Sequence, residues 1–430
     1  MTAEPTADFP GSERSWSELL SAFGRVGLLS FGGPAGQIAL MHRVLVEERR
    51  WLSEDRFLNA LNFCMLLPGP EAMQLATYSG WMLRGVAGGV VAGLLFVLPG
   101  FLVVTGLSVL YVTLGDVPAV EGLLLGLKAA VLAIVAGALA KVARRGLRGT
   151  WQAAVALSAF MAIVFFRVPF PLVIAGAALV GLIMAQPPQA RGASVPVSHA
   201  HVGRTLVLWL AIWFAPVILI ALIIGLASTF GQEALFFSQA AIVTFGGAYA
   251  VLAYVAQRAV ETYEWLAPGE MVTGLGLAES TPGPLILVLV FVGFMGGYGA
   301  TDGALWGGVL GAAVTAWVTF APCFLWIFLG APYVERLRSG GRASSALEGV
   351  TAAVVGVIAN LALWFALQVL FGVVSEWFVG PIRLWVPEWE TFQIAPFLIA
   401  CLAALLLWRK LDILVVLGLC AAFGIVARLL

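Results

Sequence analysis

The chain has 430 residues, 61% of them hydrophobic and only 11% charged, with a mean hydropathy of +1.00. Soluble domains carry about 25% charge, so a soluble enzyme, a DNA-binding factor and a secreted disulfide scaffold are excluded together; an all-α polytopic membrane protein is expected. Net charge is zero from 23 basic and 23 acidic residues, which leaves no basic surface for nucleic acid, and no Gly-x-x-x-x-Gly-Lys loop exists to cradle a nucleotide.

Residues 1–15 form an expected cytoplasmic tail, with Glu4, Asp8 and Glu13 where a cleaved leader would carry basic residues. A first transporter repeat is assigned to 16–185. Within it the apolar run is interrupted at Ser30-Phe31-Gly32-Gly33-Pro34 and again at Pro68-Gly69-Pro70. In a helix interior glycine costs about 1 kcal/mol and proline about 3, so each region is predicted to be two half-helices meeting at a re-entrant break. Full spans follow at 86–113 and 118–142, then a tight pair at 151–166 and 169–185. Residues 186–203, with Pro187-Pro188 and Pro196, are a predicted cytoplasmic linker. A transmembrane helix at 204–227 inverts the topology before a second repeat at 228–430. That repeat holds spans at 303–330 and 345–371 and a tight pair at 393–408 and 411–428.

The repeat is visible directly. Phe31-Gly32-Gly33, Trp51-Leu52 and Pro68-Gly69-Pro70 recur 214 residues later as Phe245-Gly246-Gly247, Trp265-Leu266 and Pro282-Gly283-Pro284, with 12 identities in a gapless window of 40. Further on the offset becomes 223, aligning Pro99 with Pro322 and Gly126 with Gly349. Basic residues then decide orientation. Loop 41–56 carries Arg43, Arg49, Arg50 and Arg56 against Arg258 alone in 255–270, and 141–148 is richer than 372–392. Loop 114–118 has no Lys or Arg, whereas 331–344 has Arg336, Arg338 and Arg342. The bias changes sign in all three comparisons, as two inverted-topology repeats with broken helices require. The path places the N-terminus inside and the C-terminus in the periplasm.

Phe31-Gly32-Gly33-Pro34-Ala35-Gly36-Gln37, Trp51, Leu66-Leu67-Pro68-Gly69-Pro70-Glu71-Ala72, Thr244 to Tyr249 and Glu279 to Leu285 together resemble the chromate ion transporter family in its long, two-domain form. The resemblance covers nearly the whole chain. It implies efflux of chromate across the bacterial inner membrane and resistance to that ion, without a cofactor. The second half has Ala248 where the first has Pro34, so a symmetric site is not implied.

The residues support anion chemistry on their own terms. A half-helix that starts after a break leaves about four N–H groups unpaired and about half a positive charge at its first turn, which suits a tetrahedral dianion. Gly32, Gly33, Gly69, Gly246, Gly247 and Gly283 let an oxyanion approach the backbone, and Ser30, Thr244 and Thr281 offer hydroxyls. Lys128 lies deep in span 118–142, where a lysine costs about 2.5–3.5 kcal/mol; it is assigned to the anion site, with its repeat partner Thr351. Glu71, Glu279 and Arg25 flank the breaks as coupling or charge-pairing residues. His42 is expected to be solvated in its loop, and Trp377, Trp385 and Trp389 to form an interfacial belt. No metal ligands and no catalytic residues are expected: the four cysteines lie singly in apolar runs, and no haem, flavin or iron–sulfur spacing supports a membrane reductase. A sulfate or molybdate carrier and an anion channel use the same donors and stay open as alternatives, as does a homodimer.

Overall fold

A computed structural model describes residues 15–31, 33–184, 199–245, 248–331 and 342–429. In the first half, α1 (Trp16–Leu29) is started by a capping box between Ser15 and Glu18. It is followed by α2 (Gly33–His42), a π-helical turn at Arg43–Glu48 and α3 (Glu54–Cys64), which Ser53 caps. Next come α4 (Glu71–Leu114), α5 (Pro118–Gly146), α6 (Thr150–Phe166) and α7 (Phe170–Ile183). Helix α4 bends where Arg84 and Gly85 leave helical dihedrals, which separates a half-helix at 71–83 from the expected full span.

The second half runs from α8 (His199–Ile223) through α9 (Thr229–Val243), α10 (Ala248–Ala256), a π-helical turn at Gln257–Thr262 and α11 (Pro268–Glu279). It continues with α12 (Val288–Ala300), α13 (Leu305–Gly330), α14 (Arg342–Leu370), α15 (Ile394–Trp408) and α16 (Ile413–Leu429). The two π-helical turns fall at the same offset of 214 as the sequence motifs, so the same series of elements occurs twice. Helices α4, α5, α8, α13 and α14 are long and apolar enough to cross a bilayer, while α6, α7, α15 and α16 are shorter apolar helices in tight pairs. Their apolar side chains face outward in number, Leu172, Leu222 and Val207 among them, as a lipid environment requires.

The helices form two groups, each drawn from both halves. In one, α5 packs on α15 and α16 while α14 packs on α6 and α7. In the other, α4 and α13 cross one another and gather α1, α8, α9 and α12. The exchange in the first group depends on small residues. A Cβ on Gly126 would lie 2.1 Å from the Cys420 carbonyl oxygen, and one on its repeat partner Gly349 would lie 2.1 Å from the Ala177 oxygen. Lipid tails are as apolar as leucine, so helices hold together there by close packing rather than by exclusion from water.

Among the described residues one segment forms a sheet. The expected loop before α15 folds as an antiparallel hairpin, β1 (Val374–Val379) and β2 (Ile382–Pro387), turned at Gly380 with φ of 60°. Its richness in Val, Ile, Trp and Phe is a strand signal that a loop reading passes over. Trp377 and Trp389 are exposed, as an interfacial belt requires, but Trp385 lies beneath the Arg383 guanidinium, 4.5 Å from ring centroid to Cζ. His42 is not simply solvated either: its ring nitrogens meet Glu47 at 3.0 Å and Glu54 at 2.7 Å, and the hydrogen bond to Glu54 raises its pKa above 6.5.

Gly126→Val and Gly349→Val should each loosen the exchanged packing by about 1–3 kcal/mol, the usual cost of overpacking. The check is the apparent unfolding midpoint in detergent, which should fall for both, whereas Gly137→Val, with open space at its Cβ, should leave it in place.

Candidate anion site at the helix breaks

The four breaks have matched geometry. Helices α1 and α9 end at Ser30 and Thr244, with φ, ψ of −78°, 71° and −77°, 87°. The next amide folds back in each, from Phe31 to the Leu29 oxygen and from Phe245 to the Val243 oxygen, both at 3.0 Å. Before α4 and before the turn leading to α12, Gly69 and Gly283 take φ of 117° and 99°, a region that side chains other than hydrogen rarely enter. Pro70 and Pro284 then start the next helical segments.

These breaks meet across the halves in two pairs. The Gly69 amide donates to the Thr244 carbonyl at 2.8 Å, and the Gly283 amide donates to the Ser30 carbonyl at 2.9 Å. The two bonds are repeat images of each other, and each break pair is backed by the middle of a long helix. Gly283 abuts Gly100 and Phe96 of α4; Gly69 abuts Cys323 of α13. Gln37 adds a bond found in one pair only, donating from Nε2 to the Gly283 carbonyl at 2.6 Å, while Gln74 donates to the Pro68 carbonyl at 2.7 Å. The other amide atom of each glutamine, Oε1, is buried without a partner among the described residues.

The remaining expected site residues are distributed unevenly. Ser30, Thr244 and Thr281 are buried, and each hydroxyl donates to a carbonyl of its own helix: those of Val26, Ala240 and Ala278. Gly33, with φ of 71°, starts α2. Gly32, Gly246 and Gly247 lie outside the described residues. Glu71 is the half-buried first residue of α4, where the helix dipole favours a carboxylate. Glu279 is buried at the end of α11 and accepts from the Tyr249 hydroxyl at 2.5 Å. Of the described residues, Ser30, Gly33, Gly69, Glu71, Thr244, Glu279, Thr281 and Gly283 are at or beside the breaks.

Three others are not. Lys128 is half-buried on α5 beside Gly269, at the opposite end of α11 from Ser280, with Glu270 and Tyr111 nearby. Ten residues of helix, about 15 Å, separate Gly269 from Glu279. Thr351 bonds to the Leu347 carbonyl and packs against Gly146 at the end of α5. Arg25 is exposed and paired with Glu48 at 2.6 Å. Sequence reasoning did not assign Gln37 or Tyr249 to the site, although both stand inside the repeated motifs, and it passed over Glu233, which is buried on α9. Among the described residues no group of three His, Cys, Asp or Glu side chains could hold a metal.

A polytopic helical membrane protein with two sets of broken helices, closed on each other by backbone bonds, has the build of a transporter. The comparisons with known proteins agree. The family model described as chromate transporter matches residues 17–182 and 231–425, and the chain belongs to that family. It is 30% identical to a probable chromate transport protein of Synechococcus elongatus over 92% of this chain and 96% of the relative. It is 33% identical to a chromate transport protein of Pseudomonas aeruginosa over 80% and 79%, and 30% identical to one of Cupriavidus metallidurans over 81% and 82%. No solved structure matches the chain.

Gln37→Ala should leave the buried Gly283 carbonyl short of a donor and destabilise by about 1–3 kcal/mol. Gly283→Ala adds the strain of a left-handed alanine, also about 1–3 kcal/mol. Thermal unfolding in detergent checks both, and the pair should be less than additive because they act on one break.

Proposed function

We propose that this protein is a secondary transporter that exports chromate, or a closely similar tetrahedral oxyanion, from the bacterial cytoplasm and so confers chromate resistance. The observation that carries the reading is the reciprocal pairing of the breaks, Gly69 with Thr244 and Gly283 with Ser30. It sets the starts of four helical segments, rich in unpaired N–H groups, at the meeting of the two halves. The anion binds at these starts. Gly32, Gly33, Gly69, Gly246, Gly247 and Gly283 allow its close approach; Ser30, Thr244 and Thr281 turn their hydroxyls from helix carbonyls to the ligand. Lys128 and Thr351 serve its passage along α5 and α11 rather than the breaks themselves. Glu71 and Glu279 adjust the charge of the site, whereas Arg25 is held in its ion pair with Glu48.

In this reading the two repeats (16–185 and 228–430) are inverted in the inner membrane, with 186–203 as cytoplasmic linker and 204–227 as the inverting helix. The N-terminus is cytoplasmic and the C-terminus periplasmic. Two ion pairs support the arrangement. Arg167, in the α6–α7 turn of the first half, meets Glu261 of the second at 3.1 Å, and Glu121 at the start of α5 meets Arg428 at the end of α16 at 2.7 Å. Each joins loops that inversion assigns to the outer face. The inside-negative potential already favours outward movement of a dianion, by about 2.3 kcal/mol per charge per 100 mV.

Backbone donors read charge and shape, not the central atom, so selectivity is tested together with transport. Everted membrane vesicles should accumulate chromate saturably, with sulfate in excess competing. Lys128→Ala, inserted at normal level, should lower uptake at least tenfold. Vesicles that take up sulfate but ignore chromate would shift the assignment to a general oxyanion carrier. Flux that does not saturate would indicate a channel.

A further inference from the structure

Among the described residues Glu233 is the carboxyl whose two oxygens are both buried without a hydrogen-bond partner. It sits on the second turn of α9 and is fully buried. Neither Oε1 nor Oε2 has a hydrogen-bond partner among the described residues. Glycines make room for it: a Cβ on Gly296 of α12 would fall 2.4 Å from Oε1, and one on Gly311 of α13 would fall 3.1 Å from Oε2. Nearby on α13 the Thr315 hydroxyl oxygen is also buried without a partner.

The elements around it offer no counter-charge. Glu233 is the sole charged residue of α9, and α10, α12 and α13 carry none. Arg204 of α8 stands near that helix's start, whereas α9 follows its end. In the turn after α10, Arg258 lies over Tyr263, Glu261 is engaged by Arg167 and Arg383, and Glu264 is exposed. The first half has Leu19 at the equivalent position, also fully buried. The fold therefore does not need a carboxyl here.

An unpaired carboxylate in such a place costs several kcal/mol, while the neutral acid costs far less. We propose that Glu233 is a proton-binding site, occupied in this conformation, that carries the coupling proton of an exchange: one proton moves inward as the anion moves outward. The proton enters from the outer face past Trp265, which is stacked on Tyr263 at 4.4 Å and also touches Gly296. It leaves to the cytoplasm once movement of α9 against α12 and α13 opens the carboxyl to water. No other bond forms or breaks.

The exchange rests on the transport reading above; the proton site does not. Infrared difference spectra of purified wild type against Glu233→Gln at neutral pH, without substrate, should show a carboxylic-acid C=O band lost in the variant. Carboxylate bands lost in its place would overturn the site. Proteoliposomes clamped at zero potential then test coupling. A one-unit pH gradient should raise wild-type chromate accumulation by up to about tenfold for one proton exchanged. In Glu233→Gln and Glu233→Leu the ratio with and without the gradient should fall to one. Accumulation in wild type that ignores the pH gradient, or follows a sodium gradient instead, overturns the coupling role, as does a gradient response retained by both variants. If wild type moves no chromate under any gradient while the infrared band is present, the transport reading fails and the proton site stands.

Discussion

Hydrocarbon offers no hydrogen bonds, so each peptide group freed where a helix is broken must find its partner within the protein, at several kcal/mol for each that does not. That constraint organises this molecule. Ser30 and Thr244 end helices with carbonyls that no further turn can satisfy, and Gly69 and Gly283 begin the next segments with amides in the same predicament. Each supplies what the other lacks, but only across the halves. Neither half can close its own breaks, and the chain is one folding unit in spite of its internal repeat.

The frame is symmetric and the chemistry set into it is not. Gly126 and Gly349 make the same approach to opposite helices, and the two π-helical turns and the paired breaks repeat closely. Yet the first-half residues Gln37 and Gln74, which brace the break carbonyls of Gly283 and Pro68, correspond to Val251 and Val288. Lys128 corresponds to Thr351, Met65 to Glu279 and Leu19 to Glu233. The glutamine amides at the breaks and Lys128 belong to the first half; among the described residues the buried carboxyls, Glu233 and Glu279, belong to the second. A duplicated scaffold satisfies backbone requirements twice over, which frees side chains at equivalent positions to take different tasks. A dianion that must be bound and then released to the other side benefits from such inequality.

Much of this was legible in the chain. Proline and glycine in mid-span announced the breaks because their conformational costs are local, and an offset of 214 exposed the repeat because identities need no folding to be counted. Which break would face which was beyond the sequence: the bonds Gly69–Thr244 and Gly283–Ser30 depend on how α4 and α13 cross. Lys128 stands out in the sequence as a cation within span 118–142, but its depth along α5 says nothing of its distance from breaks on other elements. Glu233 escaped notice because a single acid near the start of a helix is commonly solvated, and only the packing of Gly296 and Gly311 shows that this one is enclosed. The hairpin at 374–387 escaped because its tryptophans were credited to the interface.

The position of the breaks relative to the two helix groups gives them a mechanical meaning. In the second half the chain passes from α9, in the group around α4 and α13, to α10, which packs on α14 of the other group. It returns through α11, which packs on α5, to α12. Both passages occur at breaks. Arg383 fastens the α10 side: buried under the hairpin, it donates to Glu261 at 3.0 Å and to the Val164 carbonyl at 3.2 Å, so that the turn after α10, the hairpin and α6 are one piece. Charge-assisted bonds of this kind are roughly twice as strong as neutral ones, and removing one partner of a buried pair costs about 3–5 kcal/mol. On the α9 side, Thr244 is fixed to Gly69 by backbone. Between these anchors Phe245 belongs to neither helix, so a shift of one group against the other need break no helical bond at that residue. The break between α9 and α10 thus lies on the joint between the two groups, beside the helix starts to which the proposed anion site is assigned.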